Sequence, residues 1–141
     1  MTKTLLVRII LPSRIALEME ATLVNIPGDE GVFGVLPGHA KLTASIDIGI
    51  ITLFSREKEI KYFIHGGVAQ VTGSELNIIS EFVVNLEIER AASVRDKITE
   101  LERSLSDVEV GSIEADIFSD NIKKYKSLLK FTHIACKKGN L

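Results

Sequence analysis

The chain has 141 residues, a formal net charge of −2, 45% hydrophobic residues and one cysteine. That length suits a small domain with an appendage, and the apolar content supports a packed core rather than general disorder. The near-neutral charge argues against a nucleic-acid partner, a lone cysteine permits no intrachain disulfide, and no apolar run approaches the ~20 residues that span a bilayer.

In chain order, Leu5 to Leu11 is rich in branched residues and stops at Pro12, which predicts a strand rather than a secretory leader. Glu20 to Ile26 predicts a second strand. Residues 26–39 then hold four glycines and two prolines, with apolar Val32, Phe33, Val35 and Leu36 between them. Such a stretch reads as a turn-rich loop that is either internally packed or presents a docking surface. Ile50 to Phe54 and Glu59 to His65 flank the charged Ser55-Arg56-Glu57-Lys58, a hairpin signature. Gly73-Ser74 separates Val68–Thr72 from Glu75–Ser80 in the same way.

Near residue 85 the pattern changes. From Ser74 to Val110 there is neither Gly nor Pro. Ile88, Ala91, Val94, Ile98, Leu101, Leu105 and Val108 recur at helical spacing, as do Phe118, Ile122, Tyr125, Leu129, Thr132 and Cys136. Gly111-Ser112 ends the first helix and caps the second. These features predict a sandwich or barrel over residues 1–85 and a helical hairpin over 86–141, with arms of about 20 residues. Narrow stripes make that hairpin marginally stable and a candidate for rearrangement. Residues 120–141 sum to +5 and the rest to −7, so the basic tail suits a local acidic partner.

No catalytic constellation emerges. His39, His65 and His133 are scattered, and no cysteine joins them at metal-ligand spacing. There is no G-x-S-x-G elbow. Gly28-x-x-Gly31-x-x-Gly34 lacks both the order and the following helix of a phosphate cradle, so a turn between strands is the better reading. No cofactor or metal is implied. A small hydrolase using His39 is remote.

The segment Pro27-Gly28-Asp29-Glu30-Gly31-Val32-Phe33-Gly34-Val35-Leu36-Pro37-Gly38-His39-Ala40, followed by Leu42 and Gly49, resembles the epsilon subunits of F-type ATP synthases. Gly66-Gly67-Val68-Ala69-Gln70-Val71 and Leu76-Asn77-Ile78-Ile79-Ser80-Glu81 match later stretches of that family. The resemblance implies a flattened ten-stranded β-sandwich followed by an antiparallel two-helix hairpin. It implies a non-catalytic central-stalk subunit docked on the gamma subunit and the polar loops of the c-ring, coupling proton-driven rotation to ATP synthesis. Its place would be the cytoplasmic face of the bacterial inner membrane, membrane-associated only through the complex. Glu30, Val32, Phe33 and His39 fall in the expected interface. Val32 stands where relatives often carry an acid.

The family further implies that the hairpin can rise and inhibit ATP hydrolysis, with Lys123, Lys124, Lys126 and Lys130 meeting the alpha and beta subunits. A solubilising helix face is an equally simple account of those lysines. Leu86-Glu87-Ile88-Glu89-Arg90-Ala91 resembles a motif by which some relatives bind regulatory ATP, with Glu87 in place of Asp. Surface pairing of Arg90 with Glu87 or another surface acid is the simpler expectation. A free-standing protein-binding adaptor of the same fold is the alternative.

Overall fold

A computed structural model describes residues 3–56, 58–87 and 91–139, with side chains through residue 132. The fold divides into two compact units, residues 1–85 and 86–141. Among the described residues, the first unit holds eight strands: β1 (Leu5–Ile10), β2 (Ile15–Ala21), β3 (Leu23–Gly28), β4 (Gly31–Val35), β5 (Leu42–Phe54), β6 (Glu59–Val71), β7 (Glu75–Ile79) and β8 (Val83–Asn85). Their hydrogen-bonded order is β2-β1-β7-β6-β5-β3-β4, with β8 added to β6. All pairs are antiparallel except β1 with β7.

The ribbon of β5 and β6 joins the two layers of this sandwich. Its register runs unbroken from Leu42↔Val71 to Phe54↔Glu59, with Asp47 and Gly66 at a corner between Ile46↔Gly67 and Ile48↔His65. On one side of the corner β6 pairs with β7, and on the other with β8. The inward residues change parity there. Ile46 precedes the corner on β5 and Ile51 and Leu53 follow it; on β6, Tyr62 and Ile64 give way to Ala69 and Val71. Gly66 and Gly67 adopt φ of 80° and 157°. A Cβ on Gly67 would overlap the Ile79 carbonyl oxygen. Ser80, itself buried, ties the corner down by donating its hydroxyl to the Gly66 carbonyl at 2.6 Å. Strands that bend between sheets in this way make the corners of a sandwich.

Eight strands stand where ten were expected. Cutting both long strands at the corner would supply the other two, but pairing on either side keeps each continuous. The strand predicted from Glu20 to Ile26 is also two, broken at Thr22. There the backbone N–H and the hydroxyl both donate to the Phe54 carbonyl, at 2.7 and 3.0 Å. The inner faces meet in one core built from Leu5, Val7, Ile9, Val24, Ile26, Ile51, Leu53, Ile64, Leu76 and Ile78, among others. Phe63 points the opposite way from Tyr62 and Ile64, yet is buried, with its ring edge-on to Phe82 at 6.0 Å.

The second unit is the helical hairpin of α1 (Ala91–Ser106) and α2 (Ile113–Gly139). Their lengths of 16 and 27 residues correspond to about 24 and 40 Å, so the arms are unequal rather than near 20 residues each. Gly111 (φ 83°) ends the turn, and the Ser112 hydroxyl accepts from the Ala115 N–H at 3.1 Å as the N-cap of α2. Val94 and Ile98 of α1 and Ala115, Ile122, Leu128 and Thr132 of α2 are buried. Leu128, fully buried, displaces the expected Leu129 from the centre of the stripe. Leu128 and Thr132, at i and i+4, are the buried pair of the C-terminal half, so the buried face turns away from the Ala115–Ile122 stripe along the helix. Among the described residues, no helix is long and apolar enough to cross a membrane.

Candidate functional site

The glycine-rich segment forms a hairpin rather than a loop. β3 and β4 pair from Val24↔Val35 to Gly28↔Gly31, leaving Asp29 and Glu30 as the exposed two-residue tip. Gly31 (φ 123°) turns the chain back. Alternation along β4 then sorts the side chains. Val32 faces out and is 72% exposed, whereas Phe33 packs against the core with its ring over Gly28. Strand alternation thus turns Phe33 inward, half-buried, although it still contributes to the wall of the groove at the tip. A shallow groove of about 380 Å³ lies at the tip, between Asp29, Glu30 and Val32 on one side and Ala44 and Ser45 of β5 on the other.

His39 sits elsewhere. Leu36-Pro37-Gly38-His39 closes a tight turn through the His39 N–H to Leu36 carbonyl bond at 3.1 Å, with Gly38 at φ 82°. Pro at the second position and Gly at the third suit a type II turn. The His39 ring Nδ1 contacts the Ala40 carbonyl at 2.7 Å, a local bond. Glu30 and His39 flank opposite ends of β4, whose five residues span about 13 Å, so the structure does not gather them into one cluster.

A surface that strand-by-strand reading misses lies on the outer face of β2, β1, β7 and β6. Ile15, Ile10, Ile79 and Val68 are successive cross-strand partners and form one row. Ile15, Val68 and Ile79 are exposed and Ile10 is half-buried. The adjacent row on the same face is polar: Glu18, Arg8, Asn77, Gln70 and Thr43. Arg8 donates to Glu18 at 3.0 Å and lies 3.4 Å from Glu75. The Glu18 hydrogen bond, aided by the Glu75 charge, raises its pKa further above the usual range. A contiguous apolar row with a polar border is the make-up of a protein interface. Only pairing register could reveal it, since the four residues come from separate strands.

On α2, Lys123, Lys126 and Lys130 are exposed and recur at helical spacing on one face. Lys124 is set apart from them and ion-paired to Asp120 at 3.1 Å. The structure thus brings three of the four lysines together. For the suggested ATP motif, Arg90 lies outside the described residues. Glu87 follows β8 in a turn and is engaged with a partner, and Ala91 opens α1. Among the described residues, no group of His, Cys, Asp and Glu lies together as metal ligands do.

Comparison with known proteins agrees with this geometry. Residues 4–86 match the family described as ATP synthase, Delta/Epsilon chain, beta-sandwich domain. The ATP synthase epsilon chain of Rickettsia felis is 39% identical over 110 residues, which cover 76% of this chain and 98% of the relative. That of Rickettsia bellii is 37% identical over 108 residues, covering 74% of this chain and 100% of the relative. A chain of the Euglena gracilis mitochondrial ATP synthase, solved as OSCP/F1/c-ring, aligns with a TM-score of 0.60 at 20% identity, covering 89% of this chain and 81% of that one. One from the central stalk/c-ring of the Tetrahymena thermophila mitochondrial enzyme gives 0.56 at 12%, covering 95% and 97%. From its sandwich and the extent of these matches, the chain belongs to the ATP synthase delta/epsilon family.

Proposed function

We propose that the chain is a non-catalytic rotor subunit of the central stalk in a bacterial F-type ATP synthase, held at the cytoplasmic face of the inner membrane by its complex. Family membership supports this, and so does a surface built for contact rather than chemistry. The row Ile15-Ile10-Ile79-Val68 is the observation that carries it: a subunit that must turn with a shaft needs an apolar grip. That row docks on the gamma subunit. The hairpin tip, with Asp29, Glu30 and the apolar Val32, meets the polar loops of the c-ring, and His39 braces the separate turn at the far end of β4. Catalytic sites lie on other subunits.

The same reading assigns α2 a regulatory role. Lys123, Lys126 and Lys130 face acidic segments of the alpha and beta subunits when the hairpin rises. Each exposed pair contributes only ~0–1 kcal/mol and weakens with salt, so several must act together.

Reconstitution of the synthase with and without this chain tests the proposal. Val68→Glu with Ile79→Glu should abolish co-purification with gamma while the isolated subunit stays folded. Truncation after Glu87 should leave co-purification intact and raise ATP hydrolysis. If the chain is absent from the purified synthase, the adaptor reading takes its place. If truncation leaves hydrolysis unchanged, the inhibitory role fails alone.

A further inference from the structure

We infer that the turn between α1 and α2 is a docking surface for a basic amphipathic helix of a partner protein. The turn is built to push apolar side chains outward. The Ser112 N–H donates to the Glu109 carbonyl at 3.2 Å, and Gly111 has φ 83°. Val110 therefore occupies the apex of a tight turn and is fully exposed. Ile113 begins α2 and is 80% exposed, and Ile117, one turn later on the same face, is 55% exposed. Ala115, the buried position beside them in sequence, lies on the opposite face, so the core of the hairpin at this end does not use these three side chains. Beside them Glu109, Ser112, Ile113 and Glu114 line a shallow hollow of about 330 Å³.

Charge identifies the occupant. Residues 101–120 carry six acids (Glu102, Asp107, Glu109, Glu114, Asp116, Asp120) and one base, Arg103, a net of −5. Asp107, Glu109, Glu114 and Asp116 are all exposed around the apolar trio. An anionic lipid surface would be repelled by this rim, whereas Lys and Arg beside an apolar stripe would match it. Ile113 and Ile117, at i and i+4, offer the spacing that helix-to-helix docking uses. This inference does not depend on the rotor role, and its test uses the isolated full-length chain.

The probe is a fluorescein-labelled Leu/Lys amphipathic helical peptide of about 18 residues, titrated by anisotropy at about 50 and 300 mM salt with amide shifts followed by NMR. Shifts should centre on residues 107–117. The triple variant Val110→Ser, Ile113→Ser, Ile117→Ser should weaken binding about tenfold or more, as loss of three apolar contacts implies. The variant Glu109→Gln, Glu114→Gln, Asp116→Asn should weaken it at low salt and flatten the salt dependence. Because it keeps the apolar trio, it also serves if the serine variant loses its helices. Shifts centred elsewhere, or binding indifferent to both variants, would overturn the inference. Two other results would do the same by naming another occupant. One is binding to phosphatidylserine vesicles that the serine variant abolishes; the other is self-association in sedimentation, removed by that variant, which would point to the lysine face of a second copy.

Discussion

Replacing Gly67 with Ala should be the most damaging small substitution in the sandwich. Gly67 sits at φ 157°, where an L side chain is strained, and its Cβ would collide with the Ile79 carbonyl oxygen, which is backbone and cannot rotate away. Conformational strain of this kind costs about 1–3 kcal/mol. To relieve the collision β6 must move off β7, which disturbs the Val68↔Ile79 pairing and the Ser80 to Gly66 bond. Each lost bond adds about 1 kcal/mol. The total is about 3–5 kcal/mol, a large part of the ~5–15 kcal/mol that stabilises a domain. Two controls separate steric overlap from backbone conformation. Gly66 (φ 80°) would bring a Cβ no closer than 3.5 Å to the Ile46 oxygen, and Gly73 (φ 90°) has nothing within 4 Å. Ala at either should cost only the left-handed penalty, about 1–2 kcal/mol. Urea denaturation of the full chain, read from NMR signals of β5 and β6, gives the ranking. Equal losses for all three variants would refute the corner as a point of close approach.

Three further outcomes follow from the same structure. Leu128→Ala removes a fully buried side chain and should cost the hairpin about 2–5 kcal/mol, seen as faster amide exchange in α1 and α2 with β5 and β6 still protected. Ser80→Ala leaves the Gly66 carbonyl without its 2.6 Å donor and should cost about 1–3 kcal/mol in urea denaturation, less than Gly67→Ala. Replacing Lys123, Lys126 or Lys130 singly with Gln should each relieve inhibition of ATP hydrolysis in the reconstituted synthase more than Lys124→Gln does. Lys124 already has Asp120 as its partner, so equal effects would show that total charge, not the exposed face, matters.

Some surface features were legible residue by residue, and others were not. The Gly-Pro content of residues 26–39 announced tight turns, and Gly38 and Gly31 do turn the chain with positive φ. That content also hid β4, because glycines at 31 and 34 argue against a strand on local grounds. Pairing with β3 outweighs that preference. Phe33 looked like an exposed apolar residue beside Val32. Only the direction of β4 decided that one faces solvent and the other the core. The lysines of α2 were visible as a group, but the ion pair that sets Lys124 apart was not.

What the sequence determined by itself was the two-part architecture. The absence of Gly and Pro from Ser74 to Val110 and the change from alternating to helical periodicity are local properties of the chain, and they survive in any tertiary arrangement consistent with them. The tertiary structure alone decided the corner at Asp47 and Gly66 and the row Ile15-Ile10-Ile79-Val68. Both depend on which residues lie opposite one another across strands, and β1 and β7 meet from positions nearly 70 residues apart. Cross-strand register is a relation between distant segments, and a composition or a period read along one segment does not contain it.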